Sequence, residues 1–280
     1  MNRMTLAACL TFALLVPAAG QTEDQATTGL EITEAEQRVA IQFAVENMQF
    51  VLLHEAAHLL LGELEIPPPE NIEQAADQFA ALKLLADPGV GPSALIASAD
   101  AWQWSADLQT GGQLDGAYMD VHNPDRSRAE NLVCLMAGNN PAGFAATAVL
   151  LDLDPARQAD CADDYAAALA ADDLLFAPFR RDARPELTET VDTRYEPGRA
   201  YHLIADALER SEVLETAARA VNAQFAFARP ITFVAGVCDQ ENAFVNLEDG
   251  SVTLCYDLAD AFVRLYVDSV LLGSQQPTPR

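Results

Sequence analysis

Hydrophobic residues recur at helical spacing from the low thirties to the low sixties of the chain. Thr33 and Glu36 form a capping box that opens the run, which continues through Ile41, Ala44, Val45, Met48 and Val51 with no proline or glycine to interrupt it. Its second half, Val51, Leu52, Leu53, Ala56, Ala57, Leu59, Leu60 and Leu61, is apolar almost all round the helical wheel. Such a segment belongs inside a core, not on a surface. Ile66-Pro67-Pro68-Pro69 must end it, because proline lacks an N–H and disfavours helix in the residue before it. Asn71 is then the N-cap of a second helix running from Ile72 to Leu85, and Asp87-Pro88-Gly89 stops it. Residues 92–109 are helical again, and Thr110-Gly111-Gly112 marks a loop.

A further helix is expected from about Asp125 to Met136. The alanine-rich stretch from Pro141 to Ala171 is also helical, with a break near Asp154-Pro155. Residues 178–198 hold four arginines and three prolines without periodicity and predict an irregular connection, followed by helix over about Arg199 to Ala226. After Pro230 the character changes. Ile231–Ala235, Ala243–Leu247 and Ser251–Cys255 are β-branched and aromatic, and the last two flank Glu248-Asp249-Gly250 as a hairpin. A final helix covers Asp257 to Leu272. The pattern predicts an α+β protein, mostly α-helical, with a small antiparallel β element near the C-terminus.

The N-terminus has the form of a secretory signal over 1–20: Arg3 is the positive end, Leu6 to Val16 the apolar core, and Ala18-Ala19-Gly20 the cleavage site. Leu6-Ala7-Ala8-Cys9 is no lipoprotein box, since the apolar run follows Cys9 instead of preceding it. The expected organisation is a signal peptide, a disordered linker over 21–32, one domain over 33–272 and a polar tail over 273–280, in a periplasmic or secreted protein with no stable membrane anchor after cleavage. Formal charge is −26 for the whole chain and −27 once Arg3 is removed. That excess argues against nucleic acid as a partner. Beyond Cys9 there are four cysteines, Cys134, Cys161, Cys238 and Cys255, an even number that suits two disulfides in an oxidising compartment. Three pairings are open, as are buried thiols. The local pairs, Cys134 with Cys161 and Cys238 with Cys255, are favoured because each staples one subregion.

Inside the apolar helix stands His54-Glu55-Ala56-Ala57-His58. Residues four apart share a helix face, so both imidazoles can meet one Zn²⁺ while Glu55 sits beside the open coordination position as a general base. The plain alternative is that each histidine is a core residue bonded to a neighbour. On the second helix Glu73 and Asp77 are again four apart. A catalytic zinc takes three protein ligands, and carboxylates orient ligating histidines, so Glu73 fits the third ligand and Asp77 the orienter. Against this stands a merely solvated acidic face. His122 competes with Glu73 for the ligand role but has only a loop position. His202, with Asp206 four residues on, has no second histidine at ligand spacing and reads as structural.

HExxH followed by E-x-x-x-D resembles the gluzincin metallopeptidases. More closely, the segment is similar to a family of exported bacterial proteins of unknown function described as "putative metallopeptidases", whose members read HELGHALxxELxLPxxGxEExAAD. His54, Glu55, His58, Leu64, Pro67, Glu73, Ala75, Ala76 and Asp77 fall on that pattern, while Ala57 replaces its usual glycine. The same family shows D-x-H then R-x-x-N-x-x-C-x-x-x-G, matched by Asp120, His122, Arg128, Asn131, Cys134 and Gly138, and a hairpin followed by CYEL, matched by Cys255, Tyr256 and Leu258. The resemblance implies a single zincin-like domain that hydrolyses peptide or protein substrates with Zn²⁺. By the same resemblance His122, standing just before a helix, either binds the transition-state oxyanion or only fixes its loop by hydrogen bonding, and a sheet edge takes an extended peptide. The competing class is a non-catalytic exported binding or structural protein that retains the fold.

Overall fold

The computed structural model describes residues 32–110 and 126–272. The expected signal segment, most of the linker, the polar tail and His122 lie outside them. From Glu34 onward the chain forms one compact unit.

Its axis is α1 (Glu34–Glu63), thirty residues in one helix, so the capping-box run and the HExxH run are continuous. Eighteen of those residues are buried, on every side of the later turns, as the all-round apolar pattern requires. The end of α1 is built by hydrogen bonds from Ile66 N to Leu61 O and from Glu65 N to Gly62 O, with Glu65 left-handed at φ 53°. That is a Schellman closure with glutamate in the place usually taken by glycine. The prolines then carry the chain round into α2 (Ile72–Leu85), where the Asn71 side chain accepts from the Gln74 N–H at 3.1 Å. The ring of Phe79 on α2 lies tilted against those of Phe176 and Phe225, with centres 5.2 Å and 6.4 Å away. This aromatic knot sets how α2 lies against the rest of the core.

Three more helices cover this pair. They are α3 (Gly91–Thr110), α4 (Arg126–Asn139) and α6 (Pro155–Phe176), with the short α5 (Ala145–Leu150) between the last two. The break expected at Asp154-Pro155 is the start of α6: Asp154 caps the Ala156 and Arg157 N–H groups, and Pro155 opens the first turn. The region expected as helix over 199–226 divides into a 3₁₀ turn, α7 (His202–Arg210) and α8 (Val213–Asn222), because Glu212 turns left-handed at φ 48°. The C-terminal helix is α9 (Tyr256–Tyr266), which relaxes into a π turn over Val267–Leu272.

The sheet departs from expectation in two ways. Residues 178–198 are not wholly irregular: Val191–Tyr195 form strand β1, an edge strand with only Val191 deeply buried, so its mostly polar residues give a weak strand signal. With β2 (Ile231–Gly236), β3 (Ala243–Asn246) and β4 (Ser251–Cys255) it makes a four-stranded sheet in the order β1-β2-β4-β3. The β3–β4 hairpin is antiparallel as expected, but β1–β2 and β2–β4 pair in parallel, so the sheet is mixed. β3 is an edge strand and packs, with β4, against α1.

Two disulfides close the frame, Cys134–Cys161 between α4 and α6, and Cys238–Cys255 between the end of β2 and the end of β4. In the chain-entropy account each contributes roughly 3 kcal/mol. The α4–α6 contact is so close that a Cβ on Gly138 would lie 2.1 Å from the Cys161 carbonyl oxygen. Gly138→Ala is therefore expected to destabilise the oxidised protein by about 1–3 kcal/mol in urea unfolding, whereas an unchanged midpoint would mean that the helices do not approach this closely. Peptide mapping without reductant should recover the two pairs named, and crossed pairs would contradict the frame.

Candidate metal centre

α1 brings His54 and His58 onto one side, one turn apart, and α2 lays Glu73 across them. The His54 Nε2 and His58 Nε2 atoms are 3.1 Å apart, His54 Nε2 is 3.3 Å from one Glu73 oxygen, and His58 Nε2 is 3.4 Å from the other. Donors at about 2.0–2.1 Å from a tetrahedral ion stand about 3.3–3.4 Å from one another, so the three groups already have the edge lengths of a coordination shell. Among the described residues these three form a cluster able to hold a metal ion. Side-chain exposure rises from 0% at His54 through 17% at His58 to 36% at Glu73, so the open side of the cluster is Glu73's.

Behind His54 the arrangement continues. Its Nδ1 is 2.9 Å from Asp77 Oδ1, one turn beyond Glu73 on α2. With a proton on Nδ1 donated to that carboxylate, Nε2 is left as a lone pair facing His58 and Glu73. Donor atoms gathered in this way can accept a cation among them. Burial pushes the His54 pKa down, but the hydrogen bonds to Asp77 and Glu73 override it and raise it to about 9, so the pocket around this imidazole favours positive charge. Burial would raise the Asp77 carboxyl, yet His54 and Arg128 together hold it below the usual range.

Glu55 lies next along α1, turned about 100° from His54. It is 3% exposed, and burial pushes its pKa up to about 7, with His54 pulling it down and the Glu73 charge adding to the rise. A buried carboxyl beside a metal-binding cluster, with its proton affinity lifted toward neutrality, has the properties of a general base. On the outer side of α2 a cavity of about 790 Å³ runs between α2, α4 and α6, with Glu73, Asp77, Arg128 and Asn131 on its walls.

The structure thus brings together His54, His58, Glu73 and Asp77, with Glu55 alongside. His122 and Asp120 lie outside the described residues. His202 stands exposed at the start of α7, while Asp206 pairs instead with Arg210. Two residues assigned no role by sequence reasoning border the site. Arg128 of α4 grips Asp77 with Nε at 2.7 Å and NH2 at 2.6 Å, and its guanidinium lies 3.8 Å from the Trp102 ring centre. Arg128 was visible only as one position of a motif, and nothing in the spacing of Trp102 marks it.

Two imidazoles and a carboxylate on a packed helix pair, beside a small mixed sheet, make the kind of site on which HExxH metallohydrolases are built. The chain belongs to the family described as "Putative metallopeptidase", whose profile matches residues 16–174 and 196–275. No curated protein and no solved structure matches it.

An ion held by these donors binds the native state and not the unfolded chain. Adding zinc to chelator-treated protein should therefore raise the melting temperature, the native state gaining about 2.7 kcal/mol at free metal 100 times Kd. Glu73→Ala should lose most of that gain, and retention of the full shift in this variant would remove Glu73 from the ligand set.

Proposed function

We propose that this protein is an exported zinc-dependent peptidase in which His54, His58 and Glu73 hold the ion, Asp77 orients His54, and Glu55 is the general base. The observation that carries the reading is the set of 3.1–3.4 Å separations among the three donors, backed by the His54–Asp77 bond. A His₂Glu donor set is one that catalytic zinc uses, leaving a fourth position for water. When bound, the ion supplies Lewis acidity, polarising the scissile carbonyl and acidifying the attacking water.

The chain's own residues do the rest. Glu55 takes a proton from the water as its oxygen attacks the carbonyl carbon, then passes that proton to the amide nitrogen as the C–N bond breaks. One product leaves as a carboxylate and the other as an amine. Elevated proton affinity suits both halves of the task. β3, packed on α1 and the edge strand of the sheet among the described residues, is a strand along which an extended peptide can add as another. His122 is proposed to bind the oxyanion that develops at the carbonyl, a role that leaves metal content untouched. Export is supported by the two disulfides, which persist in oxidising compartments. No described helix is long and apolar enough to cross a membrane.

The test is a cleavage assay of the mature protein against a broad peptide library, with elemental analysis alongside. Glu55→Gln is expected to lower the rate by about 10²-fold or more while keeping one zinc per chain. Full activity in this variant would overturn the mechanism, and loss of zinc would mean that Glu55 serves the metal instead of the water.

A further inference from the structure

Behind the proposed ligands runs a line of contacts through four helices. Trp102 of α3 presents its ring to the guanidinium of Arg128 on α4. Arg128 holds both oxygens of Asp77 on α2, and Asp77 holds Nδ1 of His54 on α1. Every member is sheltered: Trp102 is 4% exposed, and the side chains of Arg128, Asp77 and His54 are 11%, 14% and 0% exposed. We propose, on the metallopeptidase reading above, that Arg128 is a positioning residue for the metal, acting through Asp77, and that Trp102 fixes the plane from which it acts.

The argument is geometric. A carboxylate can rotate about its last torsion, and a single hydrogen bond from His54 leaves that rotation free. Two parallel bonds from a planar guanidinium remove it. With Arg128 Nε on Oδ2 and NH2 on Oδ1, the plane of Asp77 is set, and Oδ1 receives His54 Nδ1 as well as Arg128 NH2. That acceptor fixes both the tautomer and the ring angle of His54, and so fixes where its Nε2 lone pair points. The guanidinium in turn needs something to hold its own plane, and an indole face at 3.8 Å does this while keeping water off.

Charge points the same way. Glu73 and Asp77 stand four residues apart with His54 between them, and Arg128 is the cation in bonding contact with the second of them. Lysine could supply the charge but neither the fork nor the stacked plane. This distinguishes a device that aims a carboxylate from a simple ion pair joining α2 to α4.

The experiment is a double-mutant cycle on zinc affinity, measured by chelator competition in the full mature chain, with apo-protein melting recorded for every variant. In the wild-type background Arg128→Gln should weaken zinc by about tenfold, at the low end of what loss of an outer partner costs. Arg128→Lys should recover only part of it, and Trp102→Leu should give a smaller loss. In the Asp77→Asn background, adding Arg128→Gln should change affinity by less than about twofold. With Co²⁺ in place of zinc, the visible ligand-field bands should shift in Arg128→Gln and Asp77→Asn alike. Equal losses in both backgrounds, or none in either, would overturn the proposal, as would full recovery by lysine. If Arg128→Gln does not fold, the lysine and Trp102→Leu variants carry the cycle, with the same outcomes deciding it. Wild-type protein that binds no zinc would sink the metallopeptidase reading itself. Wild-type protein that binds zinc with an additive cycle would sink this inference alone.

Discussion

His54 is fully buried in an apolar helix, and a buried imidazole with two functional nitrogens must have both satisfied. That requirement organises the protein. One nitrogen needs an acceptor, which Asp77 provides, and the other faces His58 and Glu73, where a cation could be shared among the three. Both carboxylates come from α2, so α2 must return antiparallel to α1 at close range. The proline turn starts that return, and the Phe79–Phe176–Phe225 contacts hold it. Leaving out Asp77 would strand the buried His54 Nδ1 without an acceptor, at a cost of about 1–3 kcal/mol. The site is therefore a test of the whole helix packing, as each group is tolerable only where the others are.

The second tier of the frame follows from the first. Asp77 must remain a carboxylate in a sheltered place, and His54 together with Arg128 from α4 keeps it one. α4 is fixed against α6 by Cys134–Cys161 and by the close approach at Gly138. A disulfide about two turns along the helix from Arg128 thus bears on the geometry of His54 through rigid elements. The sheet plays a different part. β3 and β4 cover α1, and the Cys238–Cys255 disulfide ties the hairpin to the chain just past β2, with β3 the edge strand among the described residues.

Much of this was legible in the sequence because it depended on local rules. The HExxH pair needs only helical spacing, α2 needs only Asn71 as its cap and Asp87-Pro88-Gly89 as its stop, and the β3–β4 hairpin needs only Asp-Gly between β-branched runs. What was hidden depended on partners far along the chain. β1 has the composition of a loop and is a strand only because β2 lies beside it. The parallel pairing of β2 with β4, which places β3 on the outer side of β4, is a choice of strand order that no hairpin signal encodes. Arg128 and Trp102 carry ordinary helical signals, and their role appears only once α2, α3 and α4 are assembled around His54. Glu212 turns left-handed without a glycine to announce it, so one predicted helical region became two helices.

The central claim is that one metal ion sits among His54 Nε2, His58 Nε2 and Glu73. Anomalous diffraction at the zinc absorption edge, from crystals of the zinc-loaded mature protein, locates the ion without reference to activity. The account predicts a single strong peak within about 2.0–2.2 Å of those three side chains. A peak bonded to His122 in place of Glu73, or no ordered zinc at the two histidines, would contradict it.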